Sequence, residues 1–347
     1  MYLENYDPIS MLVSKQTFVK QARFPVIDAH NHLDDEFGGG WIHKPIEEIL
    51  RAMDEVNVHA LIDLDGGWGE KILQNHLDIC KSTLMERFQV FGGINWEEWK
   101  TYGNRFPDWA AKRMREQAKW GASGLKIWKD LGLKVRDQND QLVDINDRRL
   151  DLIWETAAEL KWPVMIHVGD PAAFFEPMDN RNERWEELIT KTEWHVPSPP
   201  FPTLINMLDS FSSMVRRNKK TTFIGAHVGC YAENLAWVGK MLDNNPNYYI
   251  DISARIGELG RQPYSSRRFF HKHANQILFG LDYGIDRSLY QIAYRFLETD
   301  DEYFNYSSSS IPSLGRWAIY GICLPDEVLR KVYYENASRV LNIPIPI

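Results

Sequence analysis

Eight short apolar runs punctuate the chain, at residues 25–29, 60–64, 89–94, 124–128, 163–168, 222–226, 248–252 and 276–281. Several are apolar almost throughout, which is how strands read when both faces of a parallel sheet are covered. Between them lie stretches with helical apolar spacing, at 45–56, 70–87, 108–120, 147–161, 202–217, 233–244 and 265–274, with a last one at 326–341. Strand followed by helix, repeated around the chain, predicts an α/β fold of the (β/α)8 TIM-barrel kind. An open doubly wound sheet is the competing reading, but no glycine-rich phosphate loop follows the first strand. Two connections are far longer than the rest, 169–201 after the fifth strand and 282–325 after the eighth. Both fall on the C-terminal face, where barrels keep their active sites, and read as lids or binding loops. No linker interrupts the pattern, so residues 1–347 are expected to form one domain.

The ends of these strands carry the chemistry. The first run leads into Asp28-Ala29-His30-Asn31-His32. Strand alternation predicts Asp28, His30 and His32 on one face, with Ile27 and Ala29 on the other. Two imidazoles side by side suit a divalent metal, although a pair of ordinary hydrogen-bonded histidines would look the same in isolation. The fifth run ends in His167, the sixth in His227 and the eighth in Asp282. Four of the ten histidines thus fall at strand ends on one rim, together with an aspartate. Three imidazoles and a carboxylate suit zinc, with Mn or Fe as alternatives in a less tetrahedral site. Such an ion lowers the pKa of a bound water. A neighbouring Asp can take the proton and pass it on, and a second His can polarise the substrate.

This ordered set resembles the amidohydrolase superfamily. It is most similar to the amidohydrolase-related branch that also holds aminocarboxymuconate-semialdehyde decarboxylase and resorcylate-type decarboxylases. The resemblance runs from His30 to the closing Tyr334-Glu335-Asn336-Ala337-Ser338-Arg339-Val340-Leu341, which is similar to that branch's final helix. It implies His30, His32, His167 and Asp282 as ligands of one divalent ion, with Asp282 also the proton carrier. His227 corresponds to a catalytic or substrate-contacting residue, or to a second-metal ligand in binuclear members. Lys126, on the fourth strand, stands where binuclear members carry a carboxylated, metal-bridging lysine. In the branch resembled here it is generally not a bridge, which favours one ion and leaves Lys126 to contact substrate.

Composition narrows the partners. A net charge of −8 and a pI near 5.7 argue against nucleic acid or an anionic membrane, leaving a small-molecule substrate. No apolar run reaches the length of a membrane span, and no signal-peptide pattern is visible at the start. The cysteines, Cys80, Cys230 and Cys323, lack metal or redox spacing and suit reduced thiols in the cytoplasm. A homodimer is a further expectation, since barrels of this kind often pair.

Arg255 and Arg261, after the seventh strand, and Arg184, in the first long loop, are candidates for reading the substrate through forked donors. Trp128 and Trp41 are candidates for pocket walls. Salt bridges between loops and plain packing compete with these assignments. Asp28 either supports a ligand histidine or is structural, and His43, His59, His76, His195, His271 and His273 read as surface or structural. The many charges in the long loops favour a metal-dependent hydrolase acting on a small polar lactone, ester, amide or sugar-acid derivative. The alternative is a non-oxidative decarboxylase or C–C lyase, which would require a flat apolar slot with one anion-binding arginine. A non-catalytic binding barrel is disfavoured because every expected site position is filled.

Overall fold

The computed structural model describes residues 8–34, 38–81, 87–307, 309, 312 and 314–345. Eight strands, β1 (Val26–Asn31), β2 (Val58–Asp63), β3 (Phe88–Gly92), β4 (Gly124–Ile127), β5 (Val164–Ile166), β6 (Phe223–Gly225), β7 (Tyr248–Asp251) and β8 (Ile277–Leu278), form one parallel sheet in chain order. Backbone bonds join its ends: Ala29 N donates to Phe279 O at 2.9 Å and Asp282 N to His30 O at 2.8 Å. The sheet is therefore a barrel, with every predicted strand present.

Its interior is apolar because alternate residues of most strands are. Ile27, Ala29, Ala60, Ile62, Phe91, Met165, Ile224 and Leu278 form one buried cluster. Phe91 fills so much of it that a Cβ on Gly124, its partner in β4, would come within 2.4 Å of the ring. The last helical stretch, 326–341, runs from an α turn through a π turn (Lys331–Glu335) into Asn336–Leu341. It adds Ala337 and Leu341 to the cluster, and Gln89, early in β3, donates to the Leu341 carbonyl at 2.9 Å.

Around the barrel lie α1 (Ile46–Glu55), α2 (Glu70–Lys81), α3 (Phe106–Trp120), α4 (Asp151–Glu159), α5 (Leu204–Arg217), α6 (Leu235–Asn244), α7 (Pro263–His273) and α8 (Arg287–Glu298), with 326–341 closing the series. The end of the helix predicted at 70–87 lies at 82–86, outside the described residues. The larger difference is α8, which occupies a stretch read above as a long loop. Asp286 caps it, accepting from Ser288 N at 2.8 Å and Leu289 N at 3.0 Å. Tyr290, Ala293, Tyr294 and Leu297 are buried at helical spacing. Tyr290, Tyr294, Phe279 and Tyr333 form one aromatic cluster, Phe279 stacked on Tyr290 and Tyr333 edge-on to Phe279 and Tyr294, centroids 5.7–6.2 Å apart, fastening α8 and the last helix over β8.

Strand β1 also departs from simple alternation. Asp28 pairs with Leu61 and Asn31 with Asp63, so three steps along β1 match two along β2. One extra residue is a β-bulge, and it shifts the facing of everything beyond it. Ile27 and Ala29 fill the interior, while Asp28 and Asn31 meet Tyr290 of the outer helix α8. His30 and His32, beyond the bulge, reach the rim of the cavity. The expectation that Asp28 shares a face with the two histidines is thus overturned.

Asp28 holds the bulge. Its Oδ1 accepts from His30 N at 3.0 Å and Leu281 N at 3.2 Å; its Oδ2 accepts from Asn31 Nδ2 at 2.9 Å and Tyr290 OH at 2.5 Å. Burial pushes its pKa up to about 6, against the pull of these donors. Asp28→Ala strands the buried His30 amide and Tyr290 hydroxyl and weakens the hold on Asn31 and Leu281, and is expected to lose at least about 3 kcal/mol in urea unfolding, against about 1 kcal/mol for Tyr290→Phe. Equal losses would show that Asp28 is not the staple.

Candidate metal centre

His30 and His32, at the end of β1, each present Nε2 to Asp282 because each has a carboxylate behind Nδ1. His30 Nδ1 lies 2.9 Å from Asp251 Oδ2, and His32 Nδ1 lies 2.6 Å from Asp65 Oδ1. A carboxylate only accepts, so both Nδ1 atoms carry hydrogen. On the cavity side, Asp282 Oδ1 is 3.0 Å from His30 Nε2 and 3.2 Å from His32 Nε2. Ligand atoms of His30, His32 and Asp282 lie within 4.8 Å of one another, and those of His30, His227 and Asp251 form a second such group. Lys126 Nζ approaches His30 Nε2 at 3.2 Å, and burial lowers its pKa.

His227 is held by strained backbone. Residues 227–230 all have positive φ, 58° at His227 and 58° at Val228 among them, as does Asp282 at 64°. A left-handed conformation costs roughly 1–2 kcal/mol for each residue with a Cβ. It is offset here by His227 N donating to Asp251 Oδ1 at 3.1 Å and by Nδ1 donating to the Ser253 carbonyl at 3.0 Å. Nε2 of His227 then points toward Asp282 Oδ2, 3.9 Å away. Burial keeps His227 neutral, its pKa well below the ordinary value.

His167 enters neither ligand group. Its ring stands 4.4 Å from that of His227, and its Nε2 approaches Asp170 Oδ1 at 3.4 Å without hydrogen-bond geometry. That nitrogen is buried and has no hydrogen-bond partner. Burial also drops its pKa to about 4, which keeps the ring neutral.

Charge balance supports the same reading. Burial opposes charge on His32, but hydrogen bonds to Asp282 and Asp65 outweigh it and raise its pKa to about 10. Asp282 is desolvated too, yet His227, His30 and the bonds from His30 and His32 hold it well below the usual carboxylate range. The rim therefore favours positive charge beside Asp282, which a divalent ion would supply if held by these residues, with His32 neutral. The orphaned His167 nitrogen and the paired Nε2 atoms fit such an ion.

Above the rim is a cavity of about 480 Å³. Trp128, Phe174, Trp194, Ile252, Leu281 and Leu314 are among its walls, with Lys129, Arg184 and Arg255. Trp128 lies 5.6 Å from the His32 ring. Of the arginines singled out from sequence, Arg255 lines the cavity, and its guanidinium donates only to the Ala254 carbonyl, with no ion pair among the described residues. Arg184 lines it but is committed to Glu187 at 2.8 Å and to Glu258. Arg261 is not among the lining residues and forms a two-pronged pair with Glu183 at 2.7 and 3.0 Å. Trp41 is likewise outside, under Lys44. Asp65 is not singled out as a site group by sequence reasoning; alternation along the Asp63-Leu64-Asp65 end of β2 is its one available signal.

A parallel eight-stranded barrel with imidazoles and a carboxylate at its C-terminal rim defines a class of metal-dependent barrel enzymes. Within that class the chain belongs to the amidohydrolase family, whose sequence pattern matches residues 98–343. That family is metal-dependent and has hydrolase and decarboxylase members. No curated protein matches the chain. Among solved structures, it is similar to 2,6-dihydroxybenzoate decarboxylase from Rhizobium (14% identity, 92% of this chain and 99% of that one, TM-score 0.53). It is also similar to a dihydroxybenzoic acid decarboxylase from a Polaromonas species with bound manganese and 2-nitroresorcinol (13%, 92% and 97%, TM-score 0.52). A third is a candidate 2-pyrone-4,6-dicarboxylic acid hydrolase from Pseudomonas putida (10%, 93% and 100%, TM-score 0.51). At these identities the likeness is one of fold. No helix among the described residues is long and apolar enough to cross a membrane.

The purified protein is expected to carry a first-row divalent ion by elemental analysis. Asp65→Ala, which frees the His32 ring, is expected to weaken its affinity about 10–100-fold in chelator competition; unchanged affinity would remove His32 from the ligand set.

Proposed function

We propose that the protein is a metal-dependent decarboxylase of a small, planar, unsaturated carboxylic acid. The observation that carries this reading is the pairing of an aromatic and aliphatic wall with one uncommitted guanidinium, Arg255. Loop charges favour a polar substrate only where they face it. Here Glu183 pairs with Arg261, Glu186 with Arg316, and Glu187 and Glu258 with Arg184. The slot left between them is walled mainly by apolar groups; among the described residues Arg255 is its one arginine without an ion pair, and the Lys126 ammonium stands at its rim beside His30.

His30, His32, His167 and Asp282 are the proposed ligands of one divalent ion, zinc or manganese by donor type. When bound, the ion supplies Lewis-acid polarisation of a substrate oxygen. Arg255 offers its fork to an anionic oxygen, and Trp128, Phe174 and Trp194 exclude water and hold a flat skeleton. In decarboxylation the C–C bonding pair stays on the substrate carbon, CO2 leaves, and that carbon takes a proton. Asp282 is the proposed carrier of that proton from solvent, with His227 Nε2 as the neighbouring acceptor. The proposed setting is a soluble small-molecule enzyme in the cytoplasm.

Hydrolysis of a carboxylate-bearing lactone is the second reading. It uses the same Arg255 anchor and gives Asp282 the proton of an attacking water.

A panel of aromatic acids and carboxylated lactones separates the two: CO2 release supports the decarboxylase and ring opening the hydrolase. Turnover of neutral esters or amides alone would sink both. Arg255→Ala is expected to lower kcat/KM about 100-fold, roughly 2.7 kcal/mol of lost recognition. Asp282→Asn is expected to reduce kcat at least about 100-fold in a folded protein; wild-type turnover would exclude Asp282 as proton carrier.

A further inference from the structure

Two buried residues behind the metal centre have no part in the reading so far: Asp63, at the end of β2, and His76, in α2. His76 Nδ1 hydrogen-bonds Asp63 Oδ2. The other oxygen, Asp63 Oδ1, accepts from Asp65 N at 3.1 Å. Asp65 then holds the end of β1 with both of its own oxygens. Oδ1 takes the His32 ring, and Oδ2 accepts from Leu33 N at 2.9 Å and Asp34 N at 3.1 Å. Between the two aspartates, Leu64 N donates to Asn31 O at 3.0 Å. Residues 63–65 therefore wrap residues 31–34 at each successive position.

The four side chains in this line are sealed from water, with exposures of 6% at His76, 1% at Asp63, 9% at Asp65 and 1% at His32. We propose that His76 and Asp63 are positioning residues for His32: His76 orients Asp63, Asp63 fixes the Asp65 backbone, and Asp65 sets the angle and hydrogen placement of the His32 ring. The outer helix layer thereby tunes a residue at the catalytic rim. Without the His76 donor, Asp63 becomes a buried carboxylate beside a second carboxylate, which is strongly unfavourable. It must then take a proton or turn away, and either change loosens its grip on Asp65 N. A metal ligand whose supporting shell slackens loses affinity even when every ligand remains.

The consequence for metal affinity rests on the metal-centre reading, whereas the ring orientation does not. The test therefore has a metal-dependent and a metal-free arm. In chelator competition with Zn2+ on folded protein, His76→Leu is expected to raise the Kd about tenfold. In metal-free protein, the downfield ring N–H proton resonance of the His32–Asp65 bond, assigned by its loss in His32→Gln, is expected to broaden or shift in His76→Leu. Wild-type protein that binds no Zn2+ would refute the metal centre and leave the proton resonance to decide the positioning. His76→Leu protein that folds and keeps both the wild-type Kd and the wild-type resonance overturns the proposal.

Should His76→Leu fail to fold, Asn and Gln at the same position decide. Asn places an amide nitrogen where Nδ1 stood, and Gln places it near Nε2. His76→Asn is expected to hold the wild-type Kd and resonance and His76→Gln to lose them. Identical behaviour of the two overturns the proposal.

Discussion

Four hydrogen bonds converge on the carboxylate of Asp28, and the bulge they hold is the constraint on which the site depends. A strand of an eight-stranded barrel fills the interior with alternate residues. By strict alternation from Ile27 and Ala29, the even-numbered residues of β1 face the helices, and His30 and His32 would go with them. The single extra residue reverses that facing halfway along β1. Below it the strand contributes packing; above it, ligands. The reversal needs an anchor because a bulge leaves ladder groups unpaired, and Asp28 takes up the amides of His30 and Leu281. Its partner Tyr290 belongs to α8, so that helix is part of the site's foundation although it contributes no ligand.

The second requirement is electrical. Asp28, Asp63, Asp65, Asp251 and the strand end at Asp282 bring many carboxylates into and around one barrel mouth, most of them sealed from water. Each is tolerable only because a donor faces it: Tyr290 for Asp28, His76 for Asp63, His32 for Asp65, His30 for Asp251. Asp282 has imidazoles beside it, whose other nitrogens are engaged, and the Lys126 ammonium next to His30, whose charge burial disfavours. That residual demand for positive charge distinguishes this rim from a set of histidines that merely pack well. The left-handed backbone at 227–230 and at Asp282 belongs to the same arrangement, since strain of this kind persists only where surrounding bonds over-determine it.

Much of this was legible in the chain. The eight apolar runs are found as strands because a barrel strand is buried on both faces and leaves a continuous signature. The His and Asp residues at strand ends 1, 5, 6 and 8 converge because barrel geometry sends every strand end to one rim. What could not be read depends on non-local contact. The bulge changes nothing in the composition of Val-Ile-Asp-Ala-His-Asn; it exists because Asp28 finds Tyr290 and Leu281 far along the chain. Helix α8 was missed for a nearer reason. Its Tyr290, Ala293, Tyr294 and Leu297 do carry helical spacing, but the polar Asp282–Asp286 lead-in and the serine-rich stretch beyond made the region read as one long loop. His76 looked structural, and its tie to the rim runs through a backbone amide that no side-chain pattern reveals.

The long loops show why counting charges misjudges a binding site. From composition they look suited to a polar ligand. In the fold, Glu183, Arg184 and Glu186 reach in turn to Arg261, Glu258 and Arg316, while the guanidinium groups of Arg184 and Arg261 lie over Trp317 at 5.5 and 4.0 Å. These pairs clamp one loop to the next and spend their charge on each other. A buried Arg–Glu pair contributes little net stability against its desolvation, so its main effect is to fix geometry. The cost of that arrangement is that little charge remains for the cavity. Phe174 and Trp194, from the same loop, face inward instead. A roof built of internal ion pairs over aromatic walls selects for a ligand that is flat and mostly apolar, with its charge concentrated where Arg255 and the metal rim can meet it.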